Sequence, residues 1–249
     1  MPIAPNFTSK YSHSWKIDFT QCAPNGFLKY TELCDILQLT AAYHAEMGGI
    51  SFADMQVFHQ AWVLSRMRIE IETMPQWRDE ITVKTWIVSL ENSRSVRALE
   101  VYLGEKKIIG CETFWAVINT KLRRPEPLAL PFQHFELFPN DFSTNERIKK
   151  NIITNENAQT NKRKIVLSDL DIVNHVNNVK YLEWCLDFAN PEKVLKQEIK
   201  CLNMNFLSEL MLNEEIAISN DKNGNSESFL IIKSGKICFS MVLDSLNIL

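Results

Sequence analysis

An α+β fold built twice, each time as an antiparallel sheet wrapped round one long helix, is predicted by three observations. The order of strand, helix and four strands occurs in the first half of the chain and restarts in the second. Each half pairs one amphipathic helical pattern with a run of strand-like segments separated by turn residues, which favours a helix laid on an antiparallel sheet. The halves also share letters: Lys29-Tyr30-x-Glu32-x-Cys34 lines up with Lys180-Tyr181-x-Glu183-x-Cys185, and Asp79-Glu80-Ile81-Thr82-Val83 echoes Glu214-Glu215-Ile216-Ala217-Ile218. Duplication of this kind would join the two sheets into one continuous surface within one chain.

The first unit begins with a strand over 16–20. Tyr30, Leu33, Leu37, Ala41 and His44 then recur at helical steps, and Gly48-Gly49 stops the helix. Strands follow over 60–73, 80–90, 95–103 and 107–119, with Gly104-Glu105 as a hairpin turn. From 124 to 161 the periodicity fades. Pro125, Pro127, Pro131 and Pro139 and the polar run 154–160 mark a connection draped over the surface. The second unit opens with a strand over 164–167 and a helix over 177–188 that aligns Val179, Leu182 and Leu186, and Asn190-Pro191 stops it. Strands over 198–207, 215–219, 229–233 and 236–243 complete it, the last two joined at Ser234-Gly235. The expected organisation is a first unit over 1–130, a linker over 131–161 and a second unit over 162–249.

Bulk properties exclude several classes. The 249 residues are ordinary globular in composition, 45% hydrophobic and 23% charged. A net charge of −3 gives no basic field for nucleic acid. Cys22, Cys34, Cys111, Cys185, Cys201 and Cys238 form no C-x-x-C pair and fit no zinc spacing. Scattered thiols in a chain of this length read as reduced, so a cytoplasmic location is expected. The opening Met-Pro-Ile-Ala-Pro-Asn lacks a signal-peptide layout, and no apolar run reaches membrane-spanning length. The five histidines lack metal-ligand spacing, so neither metal nor cofactor is expected.

The densest chemistry lies between Ser168 and Trp184. There Asp171, Asn174, His175, Asn177 and Asn178 crowd between an apolar strand and an apolar helical pattern. A hydrolytic site would sit there, against the first unbonded N–H groups of a helix. A lone loop histidine is more often a cap or a packing residue. Here the acid four residues before His175 and the amides around it move the reading toward proton transfer, because imidazole needs partners to set its tautomer. Asn177 also stands where an N-cap is expected. Cys185 would lie roughly 12 Å along the helix from His175, too far for a thiolate–imidazole pair, and it faces the apolar side. No G-x-S-x-G is present. The first unit has Ala23-Pro24-Asn25-Gly26 at the corresponding stretch and no histidine. One unit is therefore expected to carry acid–base chemistry and the other to hold substrate. Trp62, Arg66, Met67, Trp86 and Trp115 are the candidate substrate-binding residues, with Trp77 as further apolar bulk. Arg66, Arg68, Lys121, Arg123, Arg124, Lys162, Arg163 and Lys164 form local basic clusters, either solvated strand ends or a landing surface for an acidic partner.

Asp169-Leu170-Asp171 through His175-Val176-Asn177-Asn178-Val179-Lys180-Tyr181 resembles the acyl-acyl carrier protein thioesterases, the double hotdog enzymes of plants and bacteria. Similarity extends over most of the chain, through Trp62-Val63-Leu64-Ser65-Arg66-Met67, Pro75-x-Trp77 with Asp79, Thr85-Trp86, and Trp115 to Arg124. The resemblance implies a tandem hotdog that cleaves the thioester of fatty acyl-acyl carrier protein. It implies acyl carrier protein as partner, with no nucleic acid or membrane, and leaves pairing into a homodimer open. The family's catalytic Asp and His fall at Asp171 and His175, and its Glu falls at Glu209. The family's Asn two residues before the His is Val173 here, so Asn174, displaced by one, and Asn177 are the candidate amides. Plant members carry a Cys after the Glu; Leu210 stands there, which disfavours a covalent cysteine mechanism. The implied chemistry is direct hydrolysis, with Glu209 or Asp171 as base on water, His175 orienting or relaying the proton, and helix-start N–H groups on the oxyanion. An acyl-coenzyme A thioesterase, a hotdog dehydratase and a non-catalytic acyl-binding protein are the alternatives on the same fold.

Overall fold

The computed structural model describes residues 3–151 and 159–245. The first unit comprises β1 (Lys10–Lys16), α1 (Tyr30–Met47), a short α2 (Phe52–Gln56), β2 (Gln60–Ile71), β3 (Glu80–Glu91), β4 (Arg94–Leu103), β5 (Lys106–Asn119) and a small β6 (Arg124–Pro125). The second comprises β7 (Gln159–Lys164), α3 (Asn178–Leu186), a short α4 (Pro191–Leu195), β8 (Ile199–Phe206), β9 (Glu215–Asn223), β10 (Ser226–Lys233) and β11 (Lys236–Ser245). The strands form one sheet in the order β1-β3-β4-β5-β2-β8-β11-β10-β9-β7, with β6 paired on β5. Taken inward from either edge, each unit's strands come in the same order, and the units meet at β2 and β8. Across that antiparallel joint Met67 faces Met204 and Ile69 faces Leu202. The fold is the tandem hotdog that the resemblance implied.

Each sheet curls round its helix because the inward row of every strand is apolar and the helix offers a matching stripe. α1 buries Leu33, Leu37, Ala41 and His44, and α3 buries Val179, Leu182 and Cys185. One core runs through both units, from Ile17 to Leu243. No helix among the described residues is long and apolar enough to cross a membrane.

The structure departs from expectation at the same place in both units. The opening strands, expected over 16–20 and 164–167, lie upstream and end at Lys16 and Lys164. Ile17 and Ile165 are fully buried, but the chain then bends into a 3-10 turn, Phe19–Gln21 or Leu167–Asp169. β1 and β7 are polar edge strands, so their pattern is weak, and the buried isoleucine beyond each drew the reading forward. The letter match of Lys29-Tyr30 with Lys180-Tyr181 is also out of register by almost one helical turn, because α1 starts at Tyr30 and α3 at Asn178. The helices differ in length, 18 residues against 9, so only the first is long. Asn190-Pro191 does not merely stop α3: Asn190 accepts from Glu192 N and caps α4, with Pro191 at its first position.

The connection after β6 does more than drape. Leu128 and Phe135 are buried with Ile50, Met55, Ile87, Leu90 and Val117. Further on it covers the outer face of the first sheet, where Ser143 Oγ donates to the Cys111 carbonyl at 2.5 Å and Lys107 Nζ to the Ser143 carbonyl at 2.8 Å. Most of the polar run 154–160 lies outside the described residues. Gly110 is what lets the connection approach, because a Cβ there would collide with the Ser143 carbonyl oxygen. Gly110→Ala is therefore expected to lower stability by about 2 kcal/mol, read from the urea midpoint. An unchanged midpoint would show that the segment can lift away at no cost.

Candidate active site

Each unit enters its helix through the same loop. Ala23 N donates to Phe27 O, as Asp171 N donates to His175 O, both at 2.8 Å. Gly26 N donates to Ala23 O, as Asn174 N donates to Asp171 O, and Lys29 N to Gln21 O, as Asn177 N to Asp169 O. Leu28 N reaches Pro75 O, as Val176 N reaches Leu210 O. The loops therefore correspond residue by residue. Gly26 has φ 82° and Asn174 φ 62°, so Asn174 fills the left-handed position that the first unit gives to glycine. His175 corresponds to Phe27, and Glu209, just before Leu210, corresponds to Met74, just before Pro75. The first unit's copy of the site is thus apolar.

In the second unit, His175 Nδ1 lies 3.6 Å from Glu209 Oε1. Adjacent backbone fixes the pair: Val176 N donates to the Leu210 carbonyl at 2.9 Å, and fully buried Leu210 anchors the Glu209 loop. Tyr181 Oη of α3 donates to the Ser208 carbonyl at 3.4 Å. Glu209 Oε2 is paired with Arg123, from the turn between β5 and β6, so one carboxylate joins both units. Asp171 does different work. Its Oδ1 accepts from Val173 N at 2.9 Å and from His175 N at 3.2 Å, which braces the loop. Asn177 is the N-cap of α3, its Oδ1 accepting from Val179 N at 3.0 Å. Asn178, the first helical residue, has an N–H with no intrahelical acceptor. Its side-chain Nδ2 donates to Gln38 Oε1 of α1 at 3.3 Å. Cys185 is fully buried, and burial pushes its thiol well above the ordinary range, in keeping with a packing role.

Gln38 leads into a cavity of about 420 Å³ between α1 and the inner face of the first sheet. Trp62 and Trp115 line it. Their indole N–H groups are used elsewhere, on the Ile50 carbonyl at 3.1 Å and Thr113 Oγ1 at 2.8 Å, so they offer apolar faces. The other candidate substrate residues lie away from it. Met67 is sealed in the core at the β2–β8 joint, and the Arg66 guanidinium lies over the Phe114 ring at 4.9 Å. Trp86 shares the outward row of β3 with Lys84; its indole donates to the Asp141 carbonyl at 2.9 Å, under the connection. Strand alternation is the reason, and it places Trp86 on the sheet face opposite the cavity. Of the basic residues, Arg68 is committed to Glu70 and Arg163 to Asp169, whereas Arg123 reaches the site.

Two residues were missed from the sequence, Gln38 and Arg97, and Arg123 was read only as one of a basic cluster. Arg97 left a signal, because it occupies the inward row of β4 between Ser95 and Leu99. It lines the cavity and is buried. Its Nη1 donates to His44 Nδ1 at 2.8 Å and to Thr85 Oγ1 at 3.2 Å. His44 Nε2 lies 2.9 Å from the Thr8 carbonyl, which can only accept, so the network assigns the proton to Nε2 and leaves Nδ1 as acceptor. Burial first, then the Arg97 charge, push the His44 pKa down to about 3, so His44 is neutral. No comparable signal marked Gln38, and the basic cluster did not single out Arg123; the partners of both lie in the other unit.

Known proteins resemble both halves of the chain. The family model of the acyl-ACP thioesterase N-terminal domain matches residues 8–131, and that of the C-terminal domain matches residues 153–239. A chloroplastic palmitoyl-acyl carrier protein thioesterase of Cuphea hookeriana is 26% identical over 189 residues, 70% of this chain and 45% of that protein. The chloroplastic oleoyl-acyl carrier protein thioesterase 2 of Arabidopsis thaliana is 29% identical over 199 residues, 71% of this chain and 53% of that protein. The chain thus spans about half the length of these curated relatives. Among solved structures, an acyl-ACP thioesterase from Bacteroides thetaiotaomicron VPI-5482 superposes with a TM-score of 0.85 at 24% identity, covering 95% of this chain and 97% of that one. The 12:0-ACP thioesterase from Umbellularia californica superposes with a TM-score of 0.81 at 18% identity, with the same coverage of 95% and 97%. At these identities the two structures speak to the fold.

Proposed function

Since the chain belongs to the acyl-ACP thioesterase family, we propose that it hydrolyses the thioester of fatty acyl-acyl carrier protein, with the acyl chain in the first unit and the chemistry in the second. The observation that carries this reading is the Asn178–Gln38 hydrogen bond, which joins the Gln38 wall of the apolar cavity to the helix start that follows His175. The carbonyl then lies at the N-terminus of α3. The Asn178 N–H and the helix's positive end meet the developing oxyanion there, with Asn177 Nδ2 as a second donor. Lys121, Arg123 and Arg124 at the rim favour an acidic carrier.

Of the two carboxylates, Glu209 is the one beside the imidazole, and its other oxygen is already paired with Arg123. Glu209 therefore holds the proton on Nδ1, leaving Nε2 to take a proton from water. The water oxygen bonds to the thioester carbon, the C–S bond breaks as the tetrahedral adduct collapses, and the proton on Nε2 passes to the leaving sulfur. Asp171 positions His175 through the loop backbone rather than touching the ring.

The test is release of free fatty acid from a panel of acyl-acyl carrier protein and acyl-coenzyme A thioesters with matched acyl groups. Carrier-protein substrates are expected to give the higher kcat/KM. A preference for coenzyme A would move the chain to the alternative carrier, and no release from either would end the hydrolytic reading. Asn174→Gly is expected to keep kcat/KM within about threefold, because glycine adopts the required φ freely. A hundredfold loss in that variant would instead make the Asn174 amide a catalytic group.

A further inference from the structure

We propose that Arg97 makes the acyl cavity selective for chains carrying an oxygen remote from the thioester, a hydroxyl or carboxylate that accepts hydrogen bonds from its free N–H groups. This deepens the thioesterase reading and rests on the same cavity. A slot meant only for methylenes has no use for a guanidinium in its wall. Arg97 faces inward on β4, with Ala41, Ile50, Ile87 and Trp115 supplying apolar wall around it. Both of its hydrogen bonds leave from Nη1, and both go to neutral acceptors, His44 Nδ1 and Thr85 Oγ1. Nε and Nη2 have no hydrogen-bond partner among the described residues. Glu46 is the one acid in the cavity lining; it is exposed, and it forms no ion pair with Arg97.

A buried cation among neutral groups is costly, and a plain alkyl chain would worsen it by displacing whatever water reaches the donors. A chain oxygen reverses the sign by accepting a charge-assisted hydrogen bond. Burial alone lowers the Arg97 pKa, to about 10, with no carboxylate acting on it, and at neutral pH the group stays charged. The geometry also sets where that oxygen must be. Arg97 meets α1 at His44, about 9 Å further along the helix than Gln38, which marks the thioester end. A substituent next to the thioester would not reach it.

The experiment uses the full chain and Arg97→Met, which keeps apolar volume and removes the donors. Substrates are carrier-protein thioesters of one saturated acyl chain, the same chain hydroxylated at successive positions, and the same chain ending in a carboxylate. The wild type is expected to hydrolyse at least one remote-oxygen substrate with kcat/KM at least roughly tenfold above the plain chain. In Arg97→Met that ratio is expected to fall to one or below, with plain-chain kcat/KM raised because no buried cation opposes the chain. A second arm measures displacement of a fluorescent fatty acid by the corresponding free acids, which requires no hydrolysis. Selective binding without turnover would uphold the Arg97 site and end the thioesterase reading. Turnover without any preference for remote oxygen in the wild type would overturn the Arg97 site and leave the thioesterase reading standing. Should Arg97→Met fail to fold, the wild-type preference in both arms still decides.

Discussion

His175→Ala is expected to lower kcat by about 10²- to 10⁴-fold, the usual span for loss of a general base, with KM nearly unchanged. The loop should survive the substitution, because what shapes it is backbone. Asp171 N donates to the His175 carbonyl at 2.8 Å, His175 N donates to Asp171 Oδ1 at 3.2 Å, and Val176 N donates to the Leu210 carbonyl at 2.9 Å. None of these uses the imidazole. The cavity proposed for the acyl chain lies in the other unit and keeps its walls. The variant should therefore bind acyl thioester and fail to turn it over. Steady-state release of fatty acid, set beside binding of the same substrate, checks this. A loss under fivefold would remove the imidazole from proton transfer.

Glu209→Gln is expected to cost kcat about 10- to 10³-fold, less than loss of the ring, since the amide can still accept from Nδ1–H but carries no charge to stabilise the imidazolium. Stability should hardly change. The ion pair it gives up joins a carboxylate to an Arg123 side chain that is 57% exposed, and exposed pairs contribute at most about 1 kcal/mol. If Glu209 acts only through His175, as proposed, the double variant His175→Ala/Glu209→Gln should be no slower than His175→Ala alone. Fully multiplicative losses would mean that Glu209 activates water by itself, as the resemblance left open. Arg123→Ala separates the two further. Its removal is expected to leave kcat within about tenfold, since the contact of Glu209 with Nδ1 remains.

Much of the fold was legible because it is written locally. Alternation located β2 through β5 and β8 through β11, and helical spacing located α1 and α3. It failed at β1 and β7, where polar edge strands carry little burial signal and Ile17 and Ile165 stand just beyond. The Asp171–His175 loop was legible as a candidate site because its chemistry is contiguous. Its internal division of labour was not. Asp171 turned out to brace backbone, and Asn174 to occupy a glycine-like turn position, which only the bonded geometry and the matching Gly26 reveal. Trp86 is a different kind of miss. Its parity with Lys84 on β3 was available, and it marked the outer face.

The sequence by itself determined the duplication, the unit that carries the histidine, and the absence of a nucleophilic thiol or serine elbow beside it. Each of these depends on residues close together in the chain. Tertiary structure decided which distant groups meet: Glu209 with His175, Arg123 with Glu209, Gln38 with Asn178, and Arg97 with His44 across the cavity. The two meetings between units, Arg123 with Glu209 and Gln38 with Asn178, follow from the register of β2 on β8 and from the seating of α1 beside α3. No local period encodes either one, because both are set by how two complete units bury their apolar faces against each other.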